Sequence, residues 1–191
     1  MQLYGRLFLI VAISWGFMPF TSSNVIGASY HGKVVEAETG KPIEGAVVVV
    51  VWHKKPIITM DGPQYVHKTA EVLTNLEGVF SIDASPGIDW NPLTYVLNNP
   101  SIAIFKPGYG PFPTGHVKEL SIEATKKKLI EGGAVIKLPR LTTKEQLRNF
   151  TDTGDMWISA IVPYARIPIL TKLINIQRQS VGLQPVGQNR D

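Results

Sequence analysis

Four histidines and no cysteine bound the chemistry open to this chain of 191 residues. Without cysteine there is no disulfide, no thiolate nucleophile and no zinc knuckle. His31, His53, His67 and His116 are scattered singly, and none forms H-x-H, H-E-x-x-H or another pair at metal-ligand spacing. One arrangement would bring two together. If the segments ending at His53 and beginning at His67 are hairpin partners, both imidazoles stand at one end with Asp61 on the connecting loop, a candidate metal or proton-binding set. No G-x-S-x-G elbow occurs, and the remaining hydroxyls and carboxylates lack partners at a recognisable spacing. The residues therefore assemble no catalytic centre, and they call for no cofactor.

Aromatic rings are the other chemical resource. Trp52 continues an apolar run and is expected in a core. Trp90 and Tyr95 sit in a segment rich in proline and asparagine, and Tyr109 follows the end of an apolar strand, so these three are the candidate ligand-stacking platforms. The net charge of +4 is diffuse. Lys54-Lys55 and Lys126-Lys127-Lys128 are its clusters, neither is interleaved with aromatics, and no nucleic-acid motif accompanies them.

These residues must be positioned by β-structure. The 17 glycines and 14 prolines fall between short apolar runs, a turn-rich pattern. Gly32 to Glu38 reads as a half-buried strand, with Val35 and Ala37 alternating with Glu36 and Glu38. Thr39-Gly40-Lys41-Pro42 turns the chain, and Val47 to Val51 follows as a strand apolar on both faces. Its two sets, Val47, Val49 and Val51 against Ala46, Val48 and Val50, should face opposite sides, one of them packing across the sandwich against Phe80, Ile82, Ile102 and Ile104. Val66–Leu73, Val79–Ile82, Ser101–Lys106 and Ala134–Leu138 continue the strands, with insertions at 54–65 and 85–100. A helix is expected between Val117 and Glu131, stopped by Gly132-Gly133.

Three separated segments resemble the carboxypeptidase regulatory-like domain, a transthyretin-like module. Gly32-Lys33-Val34-Val35-Glu36 through Thr39-Gly40-Lys41-Pro42-Ile43-Glu44-Gly45-Ala46 follows its opening G-x-V-x-D-x-x-T-G-x-P-I-x-G-A, with glutamate near the usual aspartate. Thr74-Asn75-Leu76-Glu77-Gly78-Val79-Phe80-Ser81-Ile82 follows T-D-x-x-G-x-F-x-I with asparagine for aspartate, and Lys106-Pro107-Gly108-Tyr109 follows the K-x-G-Y corner. The resemblance runs from Gly32 to about Leu141 and implies a mainly β, seven-stranded transthyretin-like or Ig-like sandwich over residues 29–141, with a helical appendage over 142–191. It names no ligand. Asn75 reads as a turn-capping residue. The sandwich's known enzymes leave no trace here: neither the H-x-H of intradiol dioxygenases, nor the Tyr-Arg-Gly-Ser ending of hydroxyisourate hydrolases, nor the H-x-x-E of the metallocarboxypeptidase domain occurs. The isopeptide bond of collagen-adhesin repeats would need an Asn or Asp opposite Lys33, and the closing strand Ala134–Leu138 has none.

The flanks suggest location. Arg6, an apolar core from Leu7 to Met18 and the small residues Val25-Ile26-Gly27-Ala28 have the layout of a signal peptide cleaved after Ala28, so residues 1–28 are expected to direct export to the periplasm or beyond. Membrane contact is expected only if that segment is kept. At the other end, Thr142-Thr143-Lys144-Glu145 reads as a helix cap. Tyr164 to Val181 reads as a second helix, with Ile167, Leu170, Leu173, Ile174 and Ile176 along one side. Together these features predict an exported, non-catalytic binding module of the bacterial envelope. Its partner is a protein met by the sandwich edge or last helix, or alternatively a carbohydrate stacked on the loop aromatics.

Overall fold

In the computed structural model the described residues are 29–58, 62–83, 85–97, 99–113, 119–152 and 162–187. The expected signal segment, Asp61 and His116 lie outside them. Among these residues the strands are β1 Ser29–Glu36, β2 Val47–Pro56, β3 Tyr65–Leu73, β4 Val79–Asp83, β5 Thr94–Val96, β6 Ser101–Phe105 and β7 Ala134–Leu138. The helices among the described residues are α1 Glu119–Glu131, α2 Lys144–Asp152 and α3 Pro168–Ser180, the last preceded by a 3-10 turn at Tyr164–Arg166. The chain is thus mainly β, with two sheets and a C-terminal helix.

One sheet has the order β4-β1-β7, in which β1 and β7 run parallel. In the other, β2 lies between β3 on one side and, on the other side, β6 along its first half and β5 along its last three residues. The doubly apolar sequence of β2 has a direct cause, because both of its faces are covered. Ala46, Val48, Val50 and Trp52 face Phe80, Ile82, Ile136 and Leu138 in the core between the sheets, whereas Ile102 and Ile104, expected across the sandwich, lie beside them on β6 of the same sheet. Val47, Val49 and Val51, with Ala103 and Phe105, meet Ile167, Leu170 and Ile174 of the C-terminal segment. Trp52 is buried as expected. Gly32 lets two large side chains meet across β1, since a Cβ there would stand 2.8 Å from Phe80 Cζ and 2.9 Å from Leu129 Cδ2. Through Leu129, α1 is tied into the same core.

The three sequence signatures are the corners of this frame. Glu36 accepts a hydrogen bond from the Thr39 hydroxyl at 2.5 Å, and Gly40 N–H donates to Glu36 O, so the first signature folds its own turn. Thr74 joins the second signature to the first: its hydroxyl donates to Ile43 O at 2.6 Å and accepts from Ala46 N–H at 2.9 Å. Asn75 Oδ1 accepts from Glu77 and Val79 N–H, which makes it the turn cap its type suggests. At the third, Gly108 O accepts from Leu141 N–H while Gly108 N–H donates to Gln177 of α3 at 3.0 Å.

Several local expectations are corrected. β1 ends at Glu36, and Ala37 and Glu38 belong to the turn; Glu36 is buried and Ala37 exposed, the reverse of the alternation read from sequence, because Glu36 is turned in to meet Thr39 and Arg140. β2 continues through Lys54–Pro56, and the second insertion contains an additional strand, β5. The cap of α2 is a reciprocal box between Thr143 and Gln146 rather than Glu145: Gln146 N–H donates to Thr143 Oγ1 at 3.1 Å, and Thr143 N–H donates to Gln146 Oε1 at 3.2 Å. In α3, Ile176 is exposed, and Gln177 takes the buried position, bonded to Thr151 Oγ1 at 2.9 Å.

The C-terminal helix docks on the domain's own sheet. Ile167 at its N-cap supplies no side-chain cap. Glu71 of β3 does so instead from 98 residues away, accepting Ile169 N–H at 3.0 Å and Leu170 N–H at 2.8 Å. A carboxylate on the free N–H groups of a helix start also opposes the positive end of its dipole. Thr69 Oγ1 donating to Arg166 O, and Arg166 donating to Val66 O, fix the same junction. Among the described residues no helix is long and apolar enough to cross a membrane.

Candidate functional site

The candidate residues separate to opposite ends of the sandwich. Tyr95 pairs with Lys55 at the end of β2, whereas β6 runs antiparallel to β2 and brings Tyr109 back toward Val47. Eight residues of strand divide the two ends, about 27 Å at about 3.4 Å per residue. Tyr109 therefore does not share a site with Trp90 and Tyr95. It is packed against the core and bridges to Arg140, beside Glu36. Burial first, and then the Glu36 carboxylate, raises its pKa. Glu36 is in turn ion-paired to Arg140 at 3.5 Å, while Arg140 N–H reaches Glu38 at 3.3 Å. These groups close the corner between the first and third signatures and satisfy one another.

His53 and His67 stand at the same end of the β2–β3 pair, one residue out of register. The register sets Val66, not His67, opposite His53, because a β-bulge shifts the pairing between Trp52 and His53. Among the described residues no group of three or more His, Asp or Glu side chains is placed to hold a metal ion. His53 is buried, and burial lowers its pKa. An imidazole held neutral in the fold favours the unfolded state once protons are available to it. Its contribution to stability is therefore complete above the unfolded pKa of about 6.5 and is lost as pH falls through that value toward the lower folded pKa. The denaturation midpoint should fall between pH 7.5 and pH 5, and a His53→Gln variant should show a flatter dependence over that range; an unchanged slope would mean His53 is not the group responsible.

Trp90 stands on a built loop. Asp89, just before it, accepts a hydrogen bond from Thr94 Oγ1 at 2.5 Å and from Asn91 N–H at 3.1 Å, and lies 3.4 Å from Lys54 Nζ. These contacts, the Thr94 bond foremost, hold its carboxyl below its ordinary pKa. Asn91 Oδ1 accepts Leu93 N–H at 2.9 Å, and Ser85 Oγ accepts Gly87 N–H. At the base, Lys68 donates to Ser85 O at 2.6 Å with its ammonium 5.2 Å from the Trp52 ring centre. With Asp89 turned inward, its neighbours are left outward: Ile88 is 71% exposed and Trp90 86%.

Other apolar side chains join them. Ile57 N–H donates to Leu93 O, which brings the end of β2 beside the loop, and Ile57, Ile58, Leu93, Tyr95 and Tyr65 are all exposed. An uncovered apolar set of this size, drawn from three segments, is a feature that folding alone does not require. Sequence reasoning selected Trp90 and Tyr95 and missed the aliphatic members. The signal for those was Ile57-Ile58 beyond the end of a strand, where turn residues would be expected.

A second surface lies along α3. Its outward side and the returning tail enclose an open groove of about 590 Å³ lined by Tyr164, Pro168, Asn175, Ile176 and Pro185 among others. The tail is held by a two-way bond between the Asn175 carboxamide and the Val186 backbone. The helix's main apolar stripe is already spent on β2 and β6, so the groove retains only Ile176 as a large exposed aliphatic.

No family model matches the chain, and no curated protein matches it. Among solved structures, an alternative pilotin from the type II secretion system of Vibrio cholerae is similar at 21% identity, over 60% of this chain and 97% of the pilotin, with a TM-score of 0.27. At that level the likeness carries no argument about fold or role.

Proposed function

We propose that the protein is an exported, non-catalytic β-sandwich of the transthyretin-like, carboxypeptidase regulatory-like type, which works in the bacterial envelope by presenting the Trp90 apex to a partner. The observation that carries this reading is the apex itself: Ile88, Trp90 and Leu93 are exposed on a loop whose polar groups are bonded inward, and Ile57 and Ile58 are exposed where the end of β2 bonds to it. The polar clusters elsewhere support a non-catalytic role, because Glu36 and Arg140, Gln177 and Thr151, and Glu71 and the α3 N-terminus each complete a structural junction. The aliphatic share weighs against the carbohydrate alternative, since sugar sites combine ring platforms with outward donors and acceptors. A non-polar partner surface fits better.

The test separates binding from folding. Ile88→Ser combined with Trp90→Ser should leave the unfolding free energy within about 0.5 kcal/mol of the wild type, as expected for exposed positions, yet abolish retention of the protein on washed envelope preparations. Undiminished retention would remove the apex as the binding end.

A further inference from the structure

Resting on the reading that the apex is the binding end, we infer that the surface it meets is the interfacial region of a lipid bilayer. A protein or glycan partner is held by directional bonds as well as apolar contact, and among the described residues the apex offers few groups to make them. Asp89 is used by Thr94, Asn91 N–H and Lys54, Asn91 Oδ1 by Leu93 N–H, and Ser85 by Gly87 N–H. The Asp89 carboxylate, of the type least tolerated near hydrocarbon, is turned inward and compensated.

What points outward is branched aliphatic and aromatic. Ile58, Ile88 and Trp90 are 80%, 71% and 86% exposed. Isoleucine gains from contact with acyl chains, and an indole with its single N–H ranks at the headgroup boundary, where Tyr65 and Tyr95 would also lie. Lys55, paired with Tyr95 on the strand behind the tip, is placed to meet lipid phosphates. The mode is shallow and peripheral, loop tips in the interface with the sandwich outside. It needs no contribution from residues 1–28.

The experiment uses the full chain and vesicles of phosphatidylethanolamine with phosphatidylglycerol. Wild type, Ile88→Ser/Trp90→Ser and Trp90→Phe are compared by flotation, so that any binding by the N-terminal segment is common to all three. The double variant should partition at least about tenfold more weakly, Trp90→Phe should keep most of the binding, and brominated lipid should quench wild-type emission more than that of Trp90→Phe. Equal flotation and equal quenching overturn the bilayer inference. If the apex variant loses retention on whole envelopes while vesicle partitioning is unchanged, the partner is a protein or glycan: the bilayer is wrong and the binding-end reading stands. If neither assay responds, both fail. Self-association lost in the double variant, without vesicle binding, would assign the patch to a second copy and also overturn the inference.

Discussion

Deletion of the chain from Tyr164 onward should abolish cooperative folding. The segment removed covers Val47, Val49, Val51, Ala103 and Phe105, three of which belong to the first half of β2. Burial of a valine or phenylalanine side chain contributes about 1.5–3 kcal/mol, so uncovering the four of them costs about 6–12 kcal/mol against a total stability of about 5–15 kcal/mol. The polar junction goes too: Glu71 loses both N–H groups it caps, and Gly108 loses Gln177. The truncated chain is expected to be insoluble or to melt without a transition by circular dichroism. A soluble product that unfolds cooperatively, within about 2 kcal/mol of the intact protein, would show that the sandwich stands without the helix and that α3 is available as a partner-binding element.

The second large effect is expected at Gly78. Its φ is +72°, and an added Cβ would lie 2.4 Å from Val34 O and 3.1 Å from Ile43 N. Those atoms are already bonded to each other, while Val34 N–H donates to Gly78 O at 2.8 Å, so the methyl group cannot enter without separating the first and second signatures. Left-handed backbone costs a non-glycine residue about 1–2 kcal/mol, and each disturbed backbone bond adds about 0.5–1.5 kcal/mol. Gly78→Ala should therefore destabilise by about 3 kcal/mol or more. Gly40→Ala is the internal control: φ is +70°, nothing lies within 4 Å of the added atom, and only the conformational cost applies. Equal losses at the two sites in denaturant melts would refute the tight corner.

The contrast between these glycines shows what the sequence made legible. The turns, the doubly apolar β2, the division of its valines into two sets and the burial of Trp52 were all readable, because period-two patterning and glycine-proline punctuation report local geometry directly. Asn75 was readable as a cap for the same reason. What depended on register was not. The bulge that sets Val66 opposite His53 leaves no mark in composition, so the one-residue offset between His53 and His67 could not be read. β5 is three residues long and is held by pairing with Lys54–Pro56 rather than by its own pattern. Glu71 capping a helix 98 residues away has no local signature at all. Tyr109 was grouped with Trp90 on residue type, and the antiparallel course of β6 placed them at opposite ends. The aromatic apex was half visible: its rings were noticed, whereas Ile57, Ile58, Ile88 and Leu93 join it only through the fold.

The most direct test of the apex as the binding end is photo-crosslinking from two positions in cells making the full protein. A photoreactive residue in place of Trp90 is compared with one in place of Glu77, which is exposed on the Asn75 turn at the other end of the sandwich. The account predicts adducts, with lipid or with protein, from position 90 and none above background from position 77. Adducts from position 77 but none from position 90 would contradict it.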